Sequence, residues 1–155
     1  MHDGFKHALL NNRPTLLRRW ETLLRAERVQ TPMAHPDTLV HLMDWTLDQL
    51  FAEIQHPKLR RHHPKSEGLS GPGQLCVCGQ NPLLTYFSTA EQAMIETLLV
   101  ERANTNRLSA VERDVSLSEL KSALHAIARR EIDSFCAVCR GRIQQAAKDT
   151  ASPRH

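Results

Sequence analysis

Residues 116–147 read SLSELKSALHAIARREIDSFCAVCRGRIQQAA. Within them Leu124, Ala128, Ile132, Phe135, Cys139, Ile143 and Ala146 recur at steps of four and three, the period of an α-helix with one buried stripe. Ser116-Leu117-Ser118-Glu119 places a hydroxyl first and a carboxylate three residues later, a capping box that predicts the helix start. A helix is therefore expected over 117–147. Cys136 sits one turn below Cys139 on the same side, so both sulfurs are expected to face the interior.

Upstream, Asn104 to Val115 reads as a polar turn. Asn81-Pro82 before it is a helix start, with Asn81 as cap and Pro82 as first helical residue. Leu83, Phe87, Ala90, Met94 and Leu98 then form one stripe, predicting a helix over 82–104. A competing start lies at Ser88, which forms a second capping box with Glu91. Residues 56–75 form a connector, basic at first through Lys58, Arg60, Arg61 and Lys65 with His62 and His63 among them. Four of the six glycines lie between 68 and 79, which argues against regular structure there.

The N-terminal half repeats the helical pattern twice. Leu39, Leu42, Met43, Thr46, Leu47, Leu50 and Ile54 predict a helix over 37–55, opened by Pro36 and Asp37 and stopped by His56-Pro57. His41 and Trp45 fall beside its stripe. Leu16, Leu17, Trp20, Leu23 and Leu24 predict another over 14–28, with Trp20 as a core anchor. A short helical arm over residues 1–12 precedes it, joined through a kink at Pro14. No segment alternates with the period of a strand. The expected fold is all-α, a four-helix-bundle-like single domain over 1–155. A cysteine-containing loop, 68–81, joins its two helical hairpins.

The chain has 155 residues, a formal net charge of +3 and four cysteines. No apolar run reaches the ~18 residues of a membrane span, and the N-terminus lacks a signal-peptide core. A cytoplasmic location follows as the expectation, and in that reducing setting thiols or metal ligands are favoured over disulfides. The basic run has no interleaved aromatic residue for base stacking, so it reads as a solvated loop rather than a nucleic-acid site.

The cysteines come as two close pairs, Cys76-Val-Cys78 and Cys136-Ala-Val-Cys139. If the last two helices form an antiparallel hairpin, going back from 104 to 82 and forward from 117 to 139 covers the same rise, roughly 33 Å. The hairpin thus brings the two pairs toward each other. Cys76, Cys78, Cys136 and Cys139 are the expected ligands of one metal centre, Zn²⁺ first and an iron–sulfur cluster second. Gly79 and the dipole at the start of the following helix favour thiolate at the first pair. Cys-x-Cys is one residue shorter than the usual zinc knuckle. His125 shares a face with Cys136 but lies ~16 Å away along the helix, too far to join the same ion.

Residues 9–24, LLNNRPTLLRRWETLL, and 35–54, HPDTLVHLMDWTLDQLFAEI, flank a two-proline break. In these stretches the chain resembles the N-terminal sensory helical domain of bacterial stressosome RsbR-type proteins and related sensor kinases. The resemblance covers about a third of the chain, and Trp20 is its most distinctive position. It implies a helical module that senses or relays, often as a dimer, rather than one that catalyses. No Gly-x-Ser-x-Gly, phosphate-binding glycine loop, haem-attachment motif or Glu-x-x-His pair occurs to support an enzyme. The expected function is a regulatory module whose four-cysteine centre couples metal or redox state to conformation, with output through a protein partner or homodimer. The alternatives are a thiol-redox enzyme using Cys136 and Cys139, and a helical interaction domain whose cysteines carry no ligand.

Overall fold

The computed structural model describes residues 3–29, 31–55, 81–104 and 109–151. Among these residues the fold is all-α, with no strand. The helices are α1 (Asp3–Asn11), α2 (Arg13–Ala26), α3 (Pro36–Leu39), α4 (Met43–Gln55), α5 (Pro82–Asn104) and α6 (Ala110–Ala151). Short 3-10 turns at Pro32–Ala34 and Val40–Leu42 precede α3 and α4. None of these helices is long and apolar enough to cross a membrane.

The arm and the first main helix meet at Asn12, whose side-chain amide donates to Ala8 O at 2.8 Å. Pro14, with no N–H to offer the preceding turn, keeps α1 and α2 from running on as one regular helix. α3 and α4 replace the single helix expected over 37–55. The 3-10 turn between them changes the angular step per residue, and Leu42, expected in the stripe, is 40% exposed. α5 runs over the expected range, and the competing start at Ser88 is not used.

The largest correction concerns α6, which begins seven residues before the expected 117 and ends at Ala151 rather than 147. Its capping box is Ser109-Ala-Val-Glu112. The Glu112 carboxylate accepts from Ser109 N at 3.0 Å, and Ser109 Oγ accepts from Glu112 N at 3.2 Å. Nothing between Ala110 and Ser116 breaks a helix, so the earlier box nucleates it. Ser116 is then an interior residue, 1% exposed.

α2 packs chiefly on α5, α5 on α6 and α6 on α4. Fully buried Ala90 and Ala93 on α5 allow close approach of a neighbouring helix, and Trp20 lies fully buried on α2. The Trp20 indole N–H donates to Tyr86 O at 3.1 Å and to Thr89 Oγ1 at 3.2 Å. Its ring meets that of Tyr86 at a centroid distance of 4.7 Å. Tyr86 in turn shares a 2.9 Å hydrogen bond with Thr46 on α4, so three helices are joined through one tyrosine. Arg13 on α2 completes the circuit outside the core, reaching Asp44 at 2.7 Å and Asp48 at 2.6 Å on α4.

The register of the α5–α6 hairpin is set by Glu91. Its carboxylate meets His125 Nε2 at 2.6 Å and Lys121 Nζ at 2.8 Å. Ten residues before Glu91, at the entry to α5, Asn81 lies against Ile132 and Cys136. These pairings put the start of α5 level with residue 132 rather than 139. The offset of about two turns follows from the earlier start of α6.

Trp20→Ala is expected to cost about 3–5 kcal/mol and Trp20→Phe about 1–2 kcal/mol. Trp45→Ala, at a site 43% exposed, should cost less than about 1 kcal/mol. Urea unfolding of the three variants checks this, and similar losses at both tryptophans would be incompatible with the packing described. Partial burial pushes the Glu91 carboxyl upward, but hydrogen bonds from Lys121 and His125 outweigh it and hold the group below an ordinary 4.5. A depressed carboxyl stabilises the fold fully above its unfolded value, and the contribution is lost as pH falls through the folded one. Glu91→Gln should therefore lower stability by about 1 kcal/mol near neutral pH, with the gap to wild type closing below about pH 4. Thermal melts of the pair across that range would show a pH-independent gap if the hairpin did not rest on this carboxylate.

Candidate functional site

At the end of the hairpin where α5 begins, the chain enters the helix through Asn81, which is 7% exposed. Asn81 Oδ1 accepts from Leu83 N at 3.0 Å, the N-cap bond expected of Asn-Pro. An acceptor facing Leu83 N–H fixes the amide the other way round, with its NH₂ toward α6. Asn81 Nδ2 lies 3.5 Å from Cys136 Sγ and 3.5 Å from Ile132 O. One side chain therefore closes α5 and presents a donor to a thiol. Its backbone carbonyl also accepts from Leu84 N at 3.4 Å. Pro82 has no N–H, so the first amides of α5 serve Asn81, and what remains for a nearby thiolate is the helix dipole.

Cys136 is buried at 8% exposure, and Cys139 is partly buried against the core. Cys136 is a free thiol. A buried thiol holding a neutral donor is poorly placed as the attacking group of a redox enzyme, which needs access to its disulfide. It is well placed as a ligand, because N–H donors to sulfur orient and stabilise a metal-bound thiolate. Arg140 Nε donates to Cys136 O at 3.3 Å, and exposed Arg140 and Arg142 lend positive charge to this end of α6. Four thiolates around one divalent ion leave net negative charge, which such a flank suits.

Cys76 and Cys78 lie outside the described residues, as do Lys58, Arg60, Arg61, Lys65, His62 and His63. Among the described residues no group of three or more His, Cys, Asp or Glu side chains converges as a metal site. His125 is engaged by Glu91 at 2.6 Å, well away from the thiols along α6. Two features had escaped the sequence reading. The cap was legible in Asn-Pro, but its second contact was not, because it depends on the hairpin register. The Glu91–His125–Lys121 cluster carried no pattern of its own beyond Lys121 and His125 lying one turn apart.

No protein-family model, curated protein or solved structure matches this chain.

Proposed function

We propose that this chain is a regulatory or sensory helical module in which Cys76, Cys78, Cys136 and Cys139 hold one metal centre, with Zn²⁺ as the first choice. The observation that carries this reading is the contact between Asn81 Nδ2 and Cys136 Sγ at 3.5 Å. Cys78 is three residues before Asn81, and three residues of chain span at most about 11 Å. Connectivity therefore leaves Cys78 able to reach Cys136, and Cys76, five residues before Asn81, has a tether of at most about 18 Å. Four thiolates close the coordination sphere of zinc and leave no position for water, which favours a structural or signalling role over hydrolysis. An iron–sulfur cluster uses the same ligands and would add sensitivity to oxidants.

The likeness of residues 9–54 to stressosome and sensor-kinase input domains supports a relay role. Val138 and Ile143, 61% and 46% exposed on α6 beside the cysteine pair, offer apolar surface to a protein partner or a second copy. A reducing compartment such as the cytoplasm would keep the thiols available for the ion.

Metal analysis and a visible spectrum of protein purified without oxygen test the centre. One equivalent of zinc and a colourless solution are expected, while iron, sulfide and a brown colour would select the cluster instead. Asn81→Asp keeps the helix cap but exchanges the sulfur-facing donor for a carboxylate oxygen. It should weaken metal binding by about 10–100-fold with little change in helix content. Absence of both metals, together with unchanged melting temperatures in Cys78→Ser and Cys136→Ser, would defeat the proposal.

A further inference from the structure

Against the first turns of α5 lies a partly open hollow of about 330 Å³, lined by residues of α4, α5, α6 and the 3-10 turn before α4. Its mouth carries Leu42 and Trp45, 40% and 43% exposed, and Leu83 forms part of its wall. Its polar equipment is small. Thr46 and Tyr86 contribute to its floor, but both are buried and their hydroxyls are spent on each other at 2.9 Å. Glu131 is the one charged side chain among the described lining residues. An apolar hollow of a few hundred Å³ with a polar group at its wall is one setting in which small molecules bind.

Those groups define the occupant. Glu131 Oε1 accepts from Arg130 Nε at 3.0 Å, but Arg130 is 54% exposed and the pair joins adjacent residues. Such a pair neutralises little of the carboxylate's charge. Glu131 Oε2 has no partner among the described residues. The buried Thr46–Tyr86 pair satisfies itself, so Glu131 is the polar group left to meet a ligand. Trp45 presents an aromatic surface at the mouth, where a cation gains further attraction. An anion would meet Glu131 unfavourably, and a purely apolar molecule would leave the carboxylate unused.

We propose that this hollow binds a small organic ammonium ion, its alkyl or aryl body among Leu42, Trp45 and Leu83 and its N–H groups on Glu131. The site is separate from the cysteine centre and does not depend on whether that centre holds metal.

Calorimetric titration of the full chain with phenethylammonium, the alcohol phenethanol and the anion 3-phenylpropanoate tests it, with the Trp45 indole N–H followed by NMR. The ammonium should bind at one site, shift the Trp45 signal, and exceed the alcohol by at least about tenfold, with no detectable binding of the anion. Glu131→Gln, which removes the charge and keeps the size of the side chain, should reduce the ammonium to the level of the alcohol, with circular dichroism unchanged. Trp45→Ala should weaken both, and the ammonium more than the alcohol, because the cation also loses the attraction of the ring face. The proposal fails if none of the probes binds at millimolar concentration, if the alcohol binds as well as the ammonium, or if the ammonium keeps its advantage in Glu131→Gln.

Discussion

Tyr86 is the residue through which the helices hold one another. Its carbonyl accepts the buried indole N–H of Trp20, its ring packs on that indole, and its hydroxyl is bonded to Thr46. The indole N–H and the tyrosine hydroxyl each have a partner there, so burial of these two rings is not offset by an orphaned donor. Burial also pushes the ionisation of the tyrosine hydroxyl upward, which keeps it a neutral hydrogen-bonding group. Because the tyrosine touches α2 and α4 from α5, its loss would disturb contacts among all three. Phe87 next to it meets its ring edge-on at 5.1 Å and extends the same aromatic cluster.

Much of the fold was legible because its helices are amphipathic and punctuated. The stripes of α2, α4 and α5 emerged from spacing alone, and Asn-Pro marked the start of α5 to the residue. α6 was misread at its N-terminus for a physical reason. Ser109–Glu112 and Ser116–Glu119 are both acceptable capping boxes, and local pattern cannot rank two such signals seven residues apart. Apolar Val111 and Val115 on α6 are 72% and 53% exposed, so the first turns of that helix lack the buried stripe on which the periodicity argument relies. Leu42 was misassigned similarly, since a helical period cannot foresee a 3-10 turn that shifts its phase.

For the cysteine end, sequence supplied the residue types and an approximate meeting of the pairs, and geometry changed the level at which they meet. With α6 starting earlier, Cys136 rather than Cys139 lies beside the entry to α5. Asn81, read only as a cap, acquires a second role from that shift. The cavity beside Tyr86 was invisible in one dimension, because Thr46, Tyr86 and Glu131 come from three helices and none stands out by motif. Trp45 was the one trace of it, an aromatic residue lying off its helix stripe.

α6 is 42 residues long against 23 for α5, so a stretch of it extends past the start of its neighbour. Residues 140–145 there are all exposed, and a Cβ at Gly141 would meet nothing within 4 Å. Glycine at an exposed helix position costs roughly 1 kcal/mol relative to alanine, and helix without a buried face is held mainly by its own propensity. The tail beyond Gly141 therefore has its own melting equilibrium, weakly cooperative with the packed portion of α6. Its amides should exchange with solvent faster than those around Ile132, with Gly141 near the boundary between the two rates.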